Sequence, residues 1–103
     1  MKPAIFLALA LACGGAAAQG TIGGTLHRAT LREWHLASSA NQVATVADIV
    51  EKLLNIGDPV VVTRRAREVQ SCINRVSDNF KLRSQLVADT AVACIAELGY
   101  LPR

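Results

Sequence analysis

The chain has 103 residues, of which 51% are hydrophobic, 18% charged and 4% aromatic. This length allows one domain at most, and the composition excludes disorder throughout, collagen-like repeats and a multidomain enzyme. Eleven Lys and Arg residues against eight Asp and Glu residues give a formal net charge of +3. So small a positive excess, with so few aromatic side chains, does not favour nucleic acid as a partner.

The N-terminus has the three regions of a secretory signal peptide. Residues 1–3 are positively charged, residues 4–12 are uncharged and apolar, and residues 16–18 are alanines suited to a cleavage site before Gln19. The apolar run is shorter than the roughly 20 residues that a membrane-spanning helix needs. We therefore expect a signal peptide over residues 1–18 and export of the remaining chain to the periplasm or the medium.

Cys13 leaves a second route open. Residues 10–13 read Ala-Leu-Ala-Cys and resemble the bacterial lipobox, in which the cysteine is acylated and becomes the first residue. The lipobox usually has Leu three positions before the cysteine, where this chain has Ala10. Cleavage after Ala18 is therefore favoured, and the alternative is an envelope-anchored structural lipoprotein acylated at Cys13.

Both routes leave Cys72 and Cys94 as the cysteines of the exported domain. Two cysteines in an exported chain most simply form one disulfide. Their wide separation fits neither the C-x-x-C spacing of redox catalysts nor the paired ligand clusters of metal sites. We therefore predict a structural Cys72–Cys94 disulfide.

Residues 19–29 are rich in glycine and predict a flexible lead-in to a helical domain over residues 30–103. Thr30 and Glu33 have the spacing of a capping box, and Ser39 offers a second helix start. Residues 30–55 are therefore predicted to form one helix, or a short helix followed by a longer one with a break at Ser38-Ser39. The predicted buried face comprises Leu36, Ala40, Val43, Ala47, Val50 and Leu54, widened by Val46, Ile49 and Leu53.

Two further helices follow. Gly57 is predicted to end the preceding helix in a left-handed conformation, and Asp58-Pro59 to begin the next one as N-cap and first residue. Apolar spacings of three and four residues continue this helix to about Asp78. The last helix is predicted to stop at Gly99, with Ile95 and Tyr100 in contact as in a Schellman motif. The predicted buried faces are Val62, Ala66, Val69, Ile73 and Val76, then Val87, Ala91, Cys94 and Leu98.

The resulting fold class is all-α, with three amphipathic helices in an antiparallel hairpin or bundle stapled by one disulfide. Short connections place consecutive helices side by side in opposite directions. In a hairpin that turns near residue 80, Cys72 and Cys94 lie at comparable heights, which agrees with the predicted bond.

Catalytic chemistry is not indicated. His27 and His35 lie two helical turns apart, too far for shared coordination of a metal ion. No serine has a G-x-S-x-G context, and no glycine loop has phosphate-binding spacing. We expect no catalytic residues, no metal, no cofactor and no enzymatic activity.

A basic cluster indicates binding instead. Arg64, Arg65 and Arg67 lie in the first half of a helix, with Arg75 following two turns later. The sequence predicts a protein-binding module, such as an inhibitor, an immunity-type protein or a small chaperone. Its expected partner is another protein with acidic groups, and anionic lipid headgroups are the alternative. Trp34 is expected in the core, with a partner contact as the alternative role.

Overall fold

Capping side chains and turn residues divide the chain into its helices. The computed structural model describes residues 23–101. Within this range the elements are α1 (Leu31–Leu36), α2 (Ser39–Leu54), α3 (Pro59–Ser77), a 3-10 turn (Phe80–Leu82) and α4 (Val87–Glu97). The all-α class is confirmed, with four helices rather than three. The predicted signal peptide and Cys13 lie outside the described residues.

The extra helix arises from a break after α1. Thr30 forms the predicted capping box, since its hydroxyl accepts from the Glu33 N–H while the Glu33 carboxylate accepts from the Thr30 N–H at 2.8 Å. The second N-cap is Ser38, whose hydroxyl accepts from the Asn41 N–H at 3.1 Å. This cap lies one residue before the predicted Ser39. A short helix followed by a longer one is therefore the correct alternative for residues 30–55.

The prediction that Gly57 takes a left-handed conformation is wrong. Asn55 has that conformation, with φ 54°, which asparagine tolerates better than most residues. Gly57 instead belongs to the connection that leads into α3. Asp58 and Pro59 begin α3 as predicted, and the Asp58 carboxylate accepts from the Val60 N–H at 2.9 Å. α3 ends one residue before the predicted Asp78.

The predicted Schellman motif at the end of α4 is confirmed. Gly99 has φ 79°. The Tyr100 N–H donates to the Ile95 carbonyl and the Gly99 N–H donates to the Ala96 carbonyl, each at 3.0 Å. These two bonds satisfy carbonyl groups that the last turn of a helix leaves free.

The pairing of α3 with α4 also follows the prediction. α3 contacts α1, α2 and α4, so it lies at the centre of the described fold. Cys72 and Cys94 form the predicted disulfide, with their Cα atoms 5.9 Å apart. The buried apolar side chains of the two helices are Val62, Ala66, Val69, Ile73, Val87, Ala91 and Ile95.

The buried face of α2 differs from the prediction. Leu36, the first residue of the predicted buried face, is the last residue of α1 and is 80% exposed. Ala40, in the first turn of α2, is exposed as well. The structure instead buries Gln42 and Thr45 beside two valines. This is possible because the Gln42 amide donates to the Trp34 carbonyl at 2.7 Å and the Thr45 hydroxyl accepts from a backbone N–H. The buried residues of α2 are Gln42, Thr45, Val46 and Val50.

The segment that donates to Thr45 belongs to the predicted flexible lead-in, and residues 25–29 of it pack against α2. Leu26 donates its N–H to Thr45 at 3.1 Å, and both Leu26 and Ala29 are buried. Gly24 permits this close packing, since a Cβ there would lie 2.6 Å from the Asn41 carbonyl oxygen. The packed domain therefore begins before Thr30.

The same segment reaches the start of α4. Thr30 and Leu86 form an isolated antiparallel β-bridge. The Leu31 N–H donates to the Gln85 carbonyl at 2.8 Å, and the Val87 N–H donates to the Ala29 carbonyl at 2.9 Å. The beginning and the end of the domain are thus joined through their backbones.

Candidate functional site: the basic face of α3

Three arginines lie on the side of α3 that faces away from the core. Arg64, Arg67 and Arg75 are exposed, whereas Ala66, on the opposite side of the helix, is fully buried. Their spacings of three and eight residues keep them on one side of a helix with 3.6 residues per turn. We call Arg64, Arg67 and Arg75 the basic face.

The charges of the basic face have no carboxylate partner among the described residues. Within residues 23–101 the one contact closer than 4 Å between a basic and an acidic side chain joins His27 to Asp48 at 2.9 Å. Arg75 makes a long hydrogen bond of 3.4 Å to the Ser71 hydroxyl. The guanidinium groups therefore remain free to bind an anion.

Arg65, which the sequence places in the same cluster, has a different role. It is half-buried, and its guanidinium carbon lies 3.8 Å from the centroid of the Tyr100 ring, a cation–π contact. The Tyr100 hydroxyl in turn donates to the Glu68 carboxylate. Arg65 thus helps to hold the end of the chain against α3, and its role in partner binding stays a prediction.

Trp34 belongs to the core. Its side chain is fully buried, and its indole N–H donates to the Asn74 side-chain oxygen at 2.8 Å. Burial of the ring and a satisfied N–H leave nothing for a partner to contact. The preferred core role of Trp34 agrees with this burial.

Shallow grooves flank the basic face. One has a volume of about 490 Å³ and is lined by Pro59, Val60 and Thr63 together with Arg64 and Arg67. Val60 is 71% exposed there, so apolar surface adjoins the charges. This combination suits a partner that offers both carboxylates and an apolar side chain.

A second groove of about 510 Å³ lies over the disulfide. Arg75 lines it from α3, and Asp89, Ala93 and Glu97 line it from α4. Asp89 and Glu97 were not among the predicted site residues. The available signal was the eight-residue spacing of Asp89 and Glu97, which places both carboxylates on one side of a helix.

The three side chains predicted to widen the buried face of α2 leave little apolar surface exposed. Val46 is fully buried, while Leu53 is 41% exposed and lines a groove of about 310 Å³ with Ile49 and Val92. This groove lies apart from the basic face, on residues of α2 and α4. It carries one positive charge, on Lys52.

The described part of the chain contains no group of three or more His, Cys, Asp or Glu side chains placed to hold a metal ion. Among its helices, none combines the length and the apolar character needed to cross a membrane. Comparison with protein-family models, with curated proteins and with solved structures gave no match to this chain.

Proposed function

We propose that this chain is a small exported helical protein that binds another protein through the basic face of α3 and has no enzymatic activity. The observation that carries the proposal is the group of three exposed guanidinium groups, Arg64, Arg67 and Arg75, without carboxylate partners in the described structure. Guanidinium groups bind carboxylates through paired hydrogen bonds. The expected partner therefore presents acidic side chains.

Helix stability does not account for the positions of these arginines. Arg64 and Arg67 lie in the first half of α3, where the helix dipole gives positive charge no advantage. α3 contains four arginines and a single acidic residue, Glu68, which accepts from Tyr100. An excess of positive charge on one face of the central helix is better explained by a partner than by folding.

Export is supported by the disulfide, because such bonds persist in oxidising compartments. The signal-peptide pattern over residues 1–18 agrees with it. The alternative is a lipoprotein acylated at Cys13. One observation favours it: Cys72 and Cys94 are joined to each other, so Cys13 is the one cysteine of the sequence left for acylation. Mass spectrometry of the exported protein distinguishes an N-terminal Gln19 from a diacylated Cys13.

We also infer that α3 and α4 run in opposite directions. The disulfide joins Cys72 to Cys94, and the Tyr100 hydroxyl contacts Glu68. Residues nearer the start of α3 therefore lie beside residues nearer the end of α4. Arg75 then lies near the level of Asp89, and Arg67 near that of Glu97.

Binding through the basic face is tested with the Arg64→Gln, Arg67→Gln double variant, isolated after export and used as bait in an envelope extract. A protein retained by the parent at low salt is expected to be lost from the variant. It is also expected to be lost from the parent at high salt, because exposed charges are screened over about 8–10 Å at moderate ionic strength. Thermal unfolding should be nearly unchanged, since both side chains are exposed.

The matched control is Arg28→Gln with Arg32→Gln, which removes the same charge from exposed positions outside α3. This variant should retain the partner. Equal retention by both double variants would contradict a role for the basic face. Retention of vesicles containing anionic lipid, in place of any protein, would identify the alternative ligand.

A further inference from the structure

We propose that the acidic partner of the basic face is a second copy of this chain, docked through α4. This inference rests on the proposed function of the basic face and names its partner. α3 and α4 each have a row of exposed side chains. Arg67, Ser71 and Arg75 form the row on α3, and Asp89, Ala93 and Glu97 form the row on α4.

The two rows match in spacing and differ in charge. Each places its members at positions i, i+4 and i+8, so each spans about 12 Å along its helix. Rows of this spacing are the ridges along which helices pack against each other. The α3 row has a positive charge at each end and the α4 row a negative charge at each end, so equal spacing allows both ends to pair at once.

Small residues occupy the middle of both rows. Ser71 and Ala93 have short side chains and are exposed. They leave room for the two helices to approach once the Arg75 guanidinium, 3.4 Å from the Ser71 hydroxyl, turns to a carboxylate of the other copy. The longer Arg, Asp and Glu side chains flank this point of approach on either side. Such a contact combines close packing at its centre with guanidinium–carboxylate pairs at its ends.

The charges are not paired within one copy. Arg75, Asp89 and Glu97 line the same groove over the disulfide. Among the described residues, however, none of them lies within 4 Å of an opposite charge, since the one ion pair is His27–Asp48. The groove therefore presents opposite charges side by side, each available to another molecule.

A two-fold axis parallel to this groove lets every charge of both rows pair with an opposite charge of the other copy. It places α3 of one copy over α4 of the other, and the reverse contact forms at the same time. Because α3 and α4 run in opposite directions, Arg75 then faces Asp89 and Arg67 faces Glu97. Such an isologous contact closes on itself and gives a dimer with four ion pairs, whereas a non-closing contact would give fibres.

The test is the molecular mass of the exported protein, measured by sedimentation equilibrium over a range of protein concentrations and at about 0.01 M and 1 M salt. Over this range of salt the Debye length falls from about 30 to about 3 Å. Exposed ion pairs each change an affinity by a factor of about 1.5 to 5, so losing four is expected to weaken the dimer about fivefold or more. A protein that is monomeric throughout at low salt overturns the proposal.

Charge reversal makes the test specific. Arg67→Glu with Arg75→Glu leaves both rows negative, and Asp89→Arg with Glu97→Arg leaves both positive, so each variant alone should be monomeric. An equimolar mixture of the two should form a heterodimer. Thermal unfolding of each variant establishes that it is folded, and Arg67→Gln with Arg75→Gln replaces the first if it is not. Dimers formed by either reversed variant alone, or a mixture that stays monomeric, contradict the proposal.

Arg32 supplies the control, because it is exposed and lies in α1, outside the basic face. Arg32→Glu should leave the dimer intact while Arg67→Glu weakens it. A monomeric parent whose envelope partner is lost with Arg64→Gln, Arg67→Gln would overturn the dimer and leave the proposed function standing. A dimer that captures no other protein would identify self-association as the binding that the basic face performs.

Discussion

The two halves of the described structure are stabilised in different ways. In the half that contains α3 and α4, the facing surfaces are apolar and a disulfide joins them. In the half that contains residues 23–54, α2 buries Gln42 and Thr45, whose polar atoms are bonded to other segments. The packing of α3 against α4 therefore follows from the apolar pattern of those two helices. The packing of residues 23–54 depends on hydrogen bonds from segments elsewhere in the chain.

Trp34 tests whether the two halves unfold together. Trp34→Ala removes a fully buried ring of α1 whose N–H donates to Asn74 of α3. We expect a loss of about 3–5 kcal/mol in the free energy of unfolding, measured by urea unfolding followed by circular dichroism. Because a domain of this size usually unfolds cooperatively, one transition should remain.

Two separate transitions would show that the halves unfold independently and would contradict cooperative unfolding of the domain. If Trp34→Ala does not fold, Trp34→Phe retains most of the ring and leaves the Asn74 oxygen without its donor. That variant should lose about 1–3 kcal/mol in the same measurement.

The disulfide tests how far the α3–α4 half depends on its covalent bond. Replacing Cys72 and Cys94 with alanine is expected to cost about 3 kcal/mol, because the open loop regains conformational freedom in the unfolded state. The measurement is the urea midpoint of the double variant. The parent protein under reducing conditions provides the comparison and should shift in the same direction. An unchanged midpoint would mean that the apolar faces alone determine the stability of this half.

Thr45 tests the polar core of the other half. Thr45→Val preserves the shape of a fully buried side chain but leaves the Leu26 N–H without its acceptor, which typically costs about 1–3 kcal/mol. The matched control is Thr63→Val in α3, an exposed position, where a change within about 0.5 kcal/mol is expected. Amide exchange should accelerate at Leu26 in the first variant only. Equal stabilities of the two variants would contradict a structural role for this hydrogen bond.

Helix boundaries were predictable wherever a side chain acts on its own neighbours. The Thr30–Glu33 capping box, the Asp58-Pro59 helix start and the Schellman motif at Gly99 each operate within a few residues. The apolar stripes of α3 and α4 were predictable because one continuous periodicity describes each helix. The disulfide followed from counting cysteines in a chain that was predicted to be exported.

The face of α2 was not predictable in the same way. Polar residues such as Gln42 and Thr45 are ordinarily assigned to the surface, and their burial depends on hydrogen bonds from segments that are distant in the sequence. The basic face of α3 could be read directly, since Arg64, Arg67 and Arg75 follow the outward side of a predicted helix. The role of Arg65 could not, because it requires knowing where the last residues of the chain pack.

The backbone contacts between residues 29–31 and residues 85–87 determine when the domain can be completed. A ribosome makes residues 29–31 long before residues 85–87. The backbone groups before and at the start of α1 therefore lack these hydrogen-bond partners until the start of the last helix is made. Contacts between such distant segments also close slowly, because a long loop must be ordered first. The N-terminal end of the domain therefore waits for the synthesis of residues 85–87 before these contacts can form.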